Sequence, residues 1–390
     1  MSKKGEVNHL NDVVDMDDPV NQFTLGATYY NGIFGEPDYK KAVKWFRLSA
    51  EQGHFLAQFF LGLCYLDGTG VRKNKRKAME WMRKAAVQGD PHAQFNLALG
   101  YEYGNGVRKN MKMAAAWYHM AAEQGDANAQ YCLGNCLFWG KGVSANKKKA
   151  VEWWIKSAEQ GCEHAQYFLG ICYSSGEGVR ANKKAAVEYY SKAAEKGIAE
   201  AQYELARCFD EGIGVKADKK MAVKWYRKAA EQGHVESQFY LGCCYKNGTG
   251  VRANSKTAVE WWQKAAEQGL MDAQFNLGVC YNFGKGVKKD YAQAVKWYRK
   301  GAEQGDPMAQ FSLANCYFNG HGVEEDAAEV VKWMRKAAEQ GHAGAQYDLG
   351  ICYEDGYGVG KNKRKAVEWY RKAAEQGDEK AKKWLEENGK

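Results

Sequence analysis

A glutamine recurs every 36 residues along this chain, at Gln22, Gln58, Gln94, Gln130, Gln166, Gln202, Gln238, Gln274, Gln310 and Gln346, with no insertion or deletion between copies. A strict period of this length is the signature of a stacked repeat, in which each module is too small to bury its own apolar face and must lean on its neighbours. The 390 residues, which by length alone suggest two or three globular domains, therefore read as one array of ten modules.

The copy from Ala57 to His92 predicts helix A from about Ala57 to Leu66, a Gly-rich loop, and helix B from about Lys75 to Gln88. Leu61, Gly62 and Tyr65 share one side of helix A at the 3.6-residue period, and that side is the expected core face. The Gly62 position holds Gly in seven repeats and Ala at Ala98, Ala206 and Ala314, while the Ala86 position is Ala throughout. Small residues on both helices predict a close helix–helix approach. Bulk is expected from the helix-B tryptophans Trp45, Trp81, Trp117, Trp153, Trp225, Trp261, Trp297, Trp333 and Trp369, with Tyr189 in the remaining copy. Truncating a buried one is expected to cost roughly 3–5 kcal/mol.

The element boundaries repeat as well. Gly-x-Gly-Val closes helix A in nine copies, as at Gly68 to Val71, and an Asn or Asp such as Asn74, Asn110, Asp218 or Asp290 stands where the helix-B N-cap belongs. Gly89 and its counterparts suit the left-handed position after helix B. These rows absorb most of the 43 glycines, so the composition does not signal low complexity. The first copy departs from the rest with Phe34 and Gly35, and a Lys/Glu-rich end follows the last, as end modules should. The organisation read from this is a polar segment over 1–20 that can form a partial capping helix, ten repeats over 21–380 forming one solenoid, and a capping helix over 381–390.

Neither an apolar leader segment nor an eighteen-residue apolar run is present, which disfavours secretion and membrane spanning. Eleven cysteines, eight of them in one row from Cys64 to Cys352, suit a reduced cytoplasmic chain and small apolar core positions. No catalytic, cofactor-binding or metal-binding residues are expected. Gly-x-Gly-Val lacks the strand and the Gly-Lys-Ser/Thr of a phosphate loop. Cys132, Cys136, Cys162 and His164 lack a dense metal-ligand spacing, and no acid–base or nucleophile–base set converges.

The run Ala-Gln-aromatic-x-Leu-Gly-x-x-Tyr-x-x-Gly-x-Gly-Val, followed by Ala-Val-Glu-Trp-Tyr-x-Lys-Ala-Ala-Glu-Gln-Gly, is nearly whole between Ala345 and Gly377. It resembles the Sel-one-like repeat, a relative of the tetratricopeptide repeat, over roughly residues 21 to 385. The resemblance implies an all-α, right-handed superhelix of helix pairs with helix A lining the concave side, acting as a scaffold or adaptor in protein complexes. Members of the family also serve in endoplasmic-reticulum degradation and in bacterial encounters with host cells. The cysteine row here does not match the paired cysteines of the secreted branch, and no membrane tether of the degradation branch is present, so neither role is carried over.

Positions that recur are explained by the frame, so partner-specific side chains are sought where copies differ on helix A, at the positions of Phe60, Leu63, Leu66 and Asp67. Along this face stand Phe60 and Leu66, then Tyr103, then Phe138, Trp139 and Phe168, then Tyr240, Phe283 and Phe318. Exposed aromatics in a concavity are typical anchors for a partner. Glu102, Glu204, Asp210, Glu211, Asp348, Glu354 and Asp355 add negative charge against Arg207 and Lys246. An acidic groove favours a basic segment. Asn96, Asn135, Asn276 and Asn315 can both donate to and accept from an extended peptide backbone. The expected activity is therefore non-enzymatic: a monomeric scaffold binding a partner protein or an extended peptide. The aromatic row from Phe23 and Phe59 to Tyr347 is assigned instead to packing between repeats.

The alternative is nucleic-acid or anionic-surface binding through a basic ridge at the loop to helix B junctions, built from Arg72, Lys73, Lys75, Arg76 and Lys77 and their counterparts. The formal net charge of +9, compensating acids on helix B and the acidic stretch Glu324 to Asp326 make this the weaker reading.

Overall fold

The glutamine that marks the period also ties the helices together. Gln94, on one helix A, donates through Nε2 to the Ala86 carbonyl of the preceding helix B at 3.1 Å and accepts through Oε1 from Gln124 Nε2, at the end of the following helix B, at 2.8 Å. One buried amide thus satisfies backbone and side-chain groups from two neighbouring helices. In a dry interior such pairing is close to obligatory. The arrangement recurs at Gln58, Gln130, Gln238, Gln274, Gln310 and Gln346. It is interrupted once: Lys196 stands in the relay position and donates to the Gly161 carbonyl, leaving Gln166 Oε1 without a partner.

This computed structural model describes residues 16–33 and 35–388; Phe34 and most of the 1–20 segment lie outside the described residues. Among these the chain forms 21 helices and no strand. It divides into two units, one ending at Lys196 and the other beginning at Gly197. In the first unit the A helices are Pro19–Asn31, Phe55–Asp67, Pro91–Tyr103, Ala127–Trp139 and Glu163–Ser175, alternating with B helices Tyr39–Glu51, Lys75–Val87, Met111–Glu123, Lys147–Glu159 and Lys183–Glu195. In the second the A helices are Ala199–Glu211, Val235–Asn247, Met271–Phe283, Pro307–Asn319 and Ala343–Asp355. Their B helices are Lys219–Glu231, Ser255–Glu267, Tyr291–Gln304, Ala327–Glu339 and Lys363–Glu375, and Glu379–Asn388 follows. Each unit is an α-solenoid in which every helix packs chiefly on its sequence neighbours.

The helix-B caps stand where the sequence puts them. Asn74 Oδ1 accepts from Lys77 N at 3.0 Å, and Asn110, Asp218 and Asp290 act alike. Helix A begins two residues before the expected Ala57, because His54 caps it through Nδ1, accepting from Ala57 N at 3.3 Å. Asp90, Asp126, Asp306, His234 and His342 cap other A helices.

The core corrects one expectation. The helix-B tryptophan row is not the main filler: Trp225, Trp297 and Trp333 are buried, but Trp45, Trp81, Trp117, Trp153, Trp261 and Trp369, with Tyr189, are only half-buried. The residue after each one fills the interior, namely Phe46, Met82, Tyr118, Trp154 and Tyr190 in the first unit and Tyr226, Trp262, Tyr298, Met334 and Tyr370 in the second. The reason is angular, since neighbouring residues on a helix point about 100° apart and only one can meet helix A. A Cβ added at Gly134 would lie 2.3 Å from Trp154 Nε1, and one at Gly242 would lie 2.5 Å from Trp262. The small row of helix A therefore faces this large row, not Ala86. The tryptophans sit to one side, where Lys84, Lys156, Lys264 and Lys372 lie 4.0–4.2 Å over the rings of Trp81, Trp153, Trp261 and Trp369.

The loop glycine Gly106 (φ 75°) has a different reason: a Cβ there would stand 2.1 Å from the Lys75 carbonyl oxygen of the preceding repeat. The cysteine row is buried, and burial pushes Cys64, Cys136 and Cys352 up to about 11. These are protonated packing groups. The recurrent ring row does pack between repeats: Tyr203 stacks on His234 at 4.8 Å and Phe311 on His342 at 4.5 Å.

The histidine caps make stability depend on pH. Burial lowers the pKa of His54, His234 and His342, outweighing the nearby carboxylates of Asp18, of Glu236 and Glu200, and of Asp306 respectively. A folded-state pKa below the unfolded value means that the contribution is present above about pH 6.5 and is lost as pH falls through the lowered values. Thermal unfolding followed by circular dichroism should show a smaller drop in Tm between pH 7.5 and pH 5 for the triple variant H54N/H234N/H342N than for the wild type, because asparagine caps without titrating.

Candidate binding surface on the A helices

Four of the aromatics expected on helix A are free at its surface. Tyr103 is 65% exposed, Trp139 57%, Phe283 62% and Phe318 52%. Tyr103, Trp139 and Phe283 are the last residues of their helices, and Phe318 is the last but one. Tyr240 is more covered, stacking on Tyr226 at 5.6 Å.

The structure moves Phe138 off this surface. It is only 7% exposed, and its ring packs on Trp154 at 5.1 Å, beneath Trp139. Phe60 and Phe168 are half-buried for a related reason: each lies on the large helix-B residue fourteen positions earlier, Phe60 on Phe46 at 5.5 Å and Phe168 on Trp154 at 5.1 Å. They form the floor of the surface and Leu66 its half-buried edge.

The polar residues divide in the same way. Arg207 pairs with Glu204 at 3.4 Å and Glu211 at 3.3 Å, Asp210 receives Lys219 at 2.6 Å, and Lys246 lies 5.5 Å over the Trp262 ring. Glu102 accepts from Tyr118 OH at 2.5 Å. Asn96 donates to the His92 carbonyl at 2.8 Å, and Asn276 and Asn315 are half-buried on the same face. Asn135 differs, since its Oδ1 is buried and has no hydrogen-bond partner. An orphaned acceptor of this kind is unusual in a folded interior.

Two cavities open on these helices. In the first unit one of about 310 Å³ is lined by Leu99, Glu102, Tyr103, Tyr131, Cys132, Asn135, Cys136, Trp139, Lys141 and Phe168. In the second unit one of about 390 Å³ is lined by Asn315, Phe318, Val330, Met334, Asp348, Ile351, Cys352, Asp355 and Tyr357. Both fall within the size range of ligand sites.

Part of the basic ridge is engaged within the protein. Lys75 donates to Asn105 at 3.0 Å, Lys147 pairs with Glu177 at 2.8 Å, and Lys183 donates to the Ser174 carbonyl at 2.7 Å. A larger, basic cavity of about 850 Å³ lies around Trp81, but there Arg47 and Arg83 donate to Tyr65 and Tyr101, Arg76 pairs with Glu80, and Lys84 covers Trp81. Among the described residues no three His, Cys, Asp or Glu side chains are grouped to hold a metal ion, and no helix is long and apolar enough to cross a membrane.

Comparison with known proteins matches this geometry. A search of curated proteins found no match. A solved structure of c5321, a protective antigen present in uropathogenic Escherichia coli strains displaying an SLR fold, is similar at 33% identity and a TM-score of 0.71, covering 98% of this chain and 88% of that one. A Sel1 repeat protein from Oxalobacter formigenes is similar at 34% identity and a TM-score of 0.61, covering 79% of this chain and 90% of its own. The Sel1 repeat model matches ten times, at residues 22–54, 56–90, 91–126, 127–162, 163–198, 199–234, 235–270, 272–306, 307–342 and 343–378, and the chain accordingly belongs to the Sel1 repeat family.

Proposed function

We propose that this chain is a non-catalytic scaffold that holds an extended peptide segment of a partner protein on the exposed face of its A helices. Sel1 repeat proteins are generally protein-interaction scaffolds. The observation that carries the finer reading is the set of large rings left in water at Tyr103, Trp139, Phe283 and Phe318. Each sits at a position where the repeats differ, so the frame does not require it. Large apolar rings held in water lose little on desolvation and gain most when covered.

The working part is residues 21–380. The end helix Glu379–Asn388 covers the last repeat, where Trp384 packs on Tyr370 at 4.3 Å. The buried cysteine row, which packs as neutral thiols in the core, supports a reducing, cytoplasmic setting, and a monomer is sufficient for this activity.

The test uses dodecapeptides selected from a random library on the full chain, with affinity read by fluorescence anisotropy. The triple variant Y103A/W139A/F283A should lose at least about tenfold in affinity while its far-ultraviolet circular dichroism and Tm stay unchanged, since each ring makes mainly solvent contacts. Unchanged affinity would remove the surface from consideration. Binding lost only on neutralising Arg72 to Lys77, with a steep salt dependence, would favour the ridge instead.

A further inference from the structure

We infer that the cavity beside Phe318 in the second unit is an arginine pocket, taking the guanidinium of a peptide bound on the A helices. The inference rests on the preceding reading of that face and adds the side chain it selects. Its origin lies at a position where the repeats differ. The position that puts Phe60, Phe168 or Tyr240 over the large helix-B row holds Asp348 here, and the helix-B residue beneath is Met334. Where those three repeats stack two rings, this one leaves a space of about 390 Å³.

The lining has three parts. The floor is apolar, from Val330, Met334, Ile351 and the neutral thiol of Cys352, whose pKa burial raises to about 11. Phe318 and Tyr357 form a wall, edge to face at 5.4 Å. Asp348 and Asp355, seven residues apart on one helix and so on the same face, supply two carboxylates. No lysine, arginine or histidine lines the cavity. Glu325 and Asp326 add negative charge near Tyr357, while the neighbouring Glu354 is already occupied by Tyr370 OH at 2.7 Å and Trp384 Nε1 at 3.3 Å.

An apolar floor with two acids and no internal cation calls for a cation on an apolar stem. Arginine fits better than lysine, because a planar guanidinium can stack on the aromatic wall and fork to two carboxylates, whereas an ammonium is a point charge with a tighter water shell. Geometry and charge agree with the state of Asp348. Burial raises its pKa to about 6, with Lys380, from the last helix, opposing and Asp378 raising it further; Asn315 and Met334, which line the cavity with it from other helices, are neutral. Above that value it stands as a carboxylate that burial disfavours, and an arriving cation would stabilise it.

The experiment uses the full chain labelled at Ile and Met methyl groups, titrated with Nα-acetyl-arginine amide, its uncharged citrulline analogue and the lysine amide. The arginine compound should shift the Ile351 and Met334 signals and bind about tenfold more tightly than citrulline, in keeping with hydrogen bonds between charged groups. Binding should be lost in D348N/D355N, whose Tm should not fall, and should weaken severalfold from pH 7.5 to pH 5 as Asp348 takes up a proton. Equal shifts with citrulline, equal binding of the lysine amide, or indifference to D348N/D355N would overturn the assignment. The library peptides separate the two claims. If they need Tyr103, Trp139 and Phe283 but ignore D348N/D355N, the pocket fails and the surface stands. If arginine amide binds while the peptides ignore those rings, the pocket stands without the surface.

Discussion

Replacing Trp262 with alanine is expected to destabilise the second unit by roughly 3–5 kcal/mol, while replacing its neighbour Trp261 costs only about 1–2 kcal/mol. The two side chains are chemically identical and adjacent, so the difference isolates burial. Trp262 is 2% exposed, fills the space against Gly242, and donates through Nε1 to the Phe239 carbonyl at 3.1 Å. Its removal opens a ring-sized void beside a glycine that cannot fill it and loses the indole hydrogen bond. Trp261 is half-buried under Lys264 and leaves its space to water. Chemical denaturation of the two variants checks this, and W262F should recover part of the loss. Equal destabilisation would mean that the tryptophan row carries the core after all.

The second large effect concerns the glutamine. Gln94→Ala removes both of its hydrogen bonds, so the Ala86 carbonyl keeps only its bond from Gly89 N, the tie to the exposed Gln124 is lost, and a buried void opens between three helices. A loss of roughly 2–4 kcal/mol is expected, combining the desolvated groups with the lost volume. Gln94→Met restores volume but not hydrogen bonds, so it should recover the smaller part. Because repeat stability is a nearest-neighbour sum, the effect should appear as local unfolding of the adjoining helices in hydrogen exchange before it lowers global stability.

Whatever recurs in this chain was legible from sequence, and whatever depends on how unlike residues meet was not. The period, the helix-B caps such as Asn74 and the left-handed Gly89 could be read directly, because each repeats with one chemistry. The helix-A caps were missed, since that position alternates among Asp90, His54, Cys162 and Ile198, and only some of these accept a hydrogen bond. The core row was misassigned for the opposite reason. Tryptophan recurs at one position, but the buried position beside it varies from Phe46 to Met82 to Trp154 and gives no repeating letter. The same variation decides the surface. Phe138 and Phe168 were expected to stand exposed, yet the large Trp154 beneath draws them in, whereas Trp139 and Phe283 end their helices and have nothing beneath to cover them. The cavity beside Phe318 was equally invisible, because it requires Asp348 and Met334 to coincide across two helices.

The claim on which the rest depends is that the frame is made of what repeats and that the differing residues of the A helices face a guest. Site-specific photo-crosslinking tests it most directly, with benzoylphenylalanine placed singly at Tyr103, Trp139 and Phe283, and at Trp81 and Trp261 on the B helices, against the selected dodecapeptides. Crosslinks at the three helix-A positions and none at the helix-B positions are predicted; crosslinks confined to Trp81 and Trp261 would contradict the account.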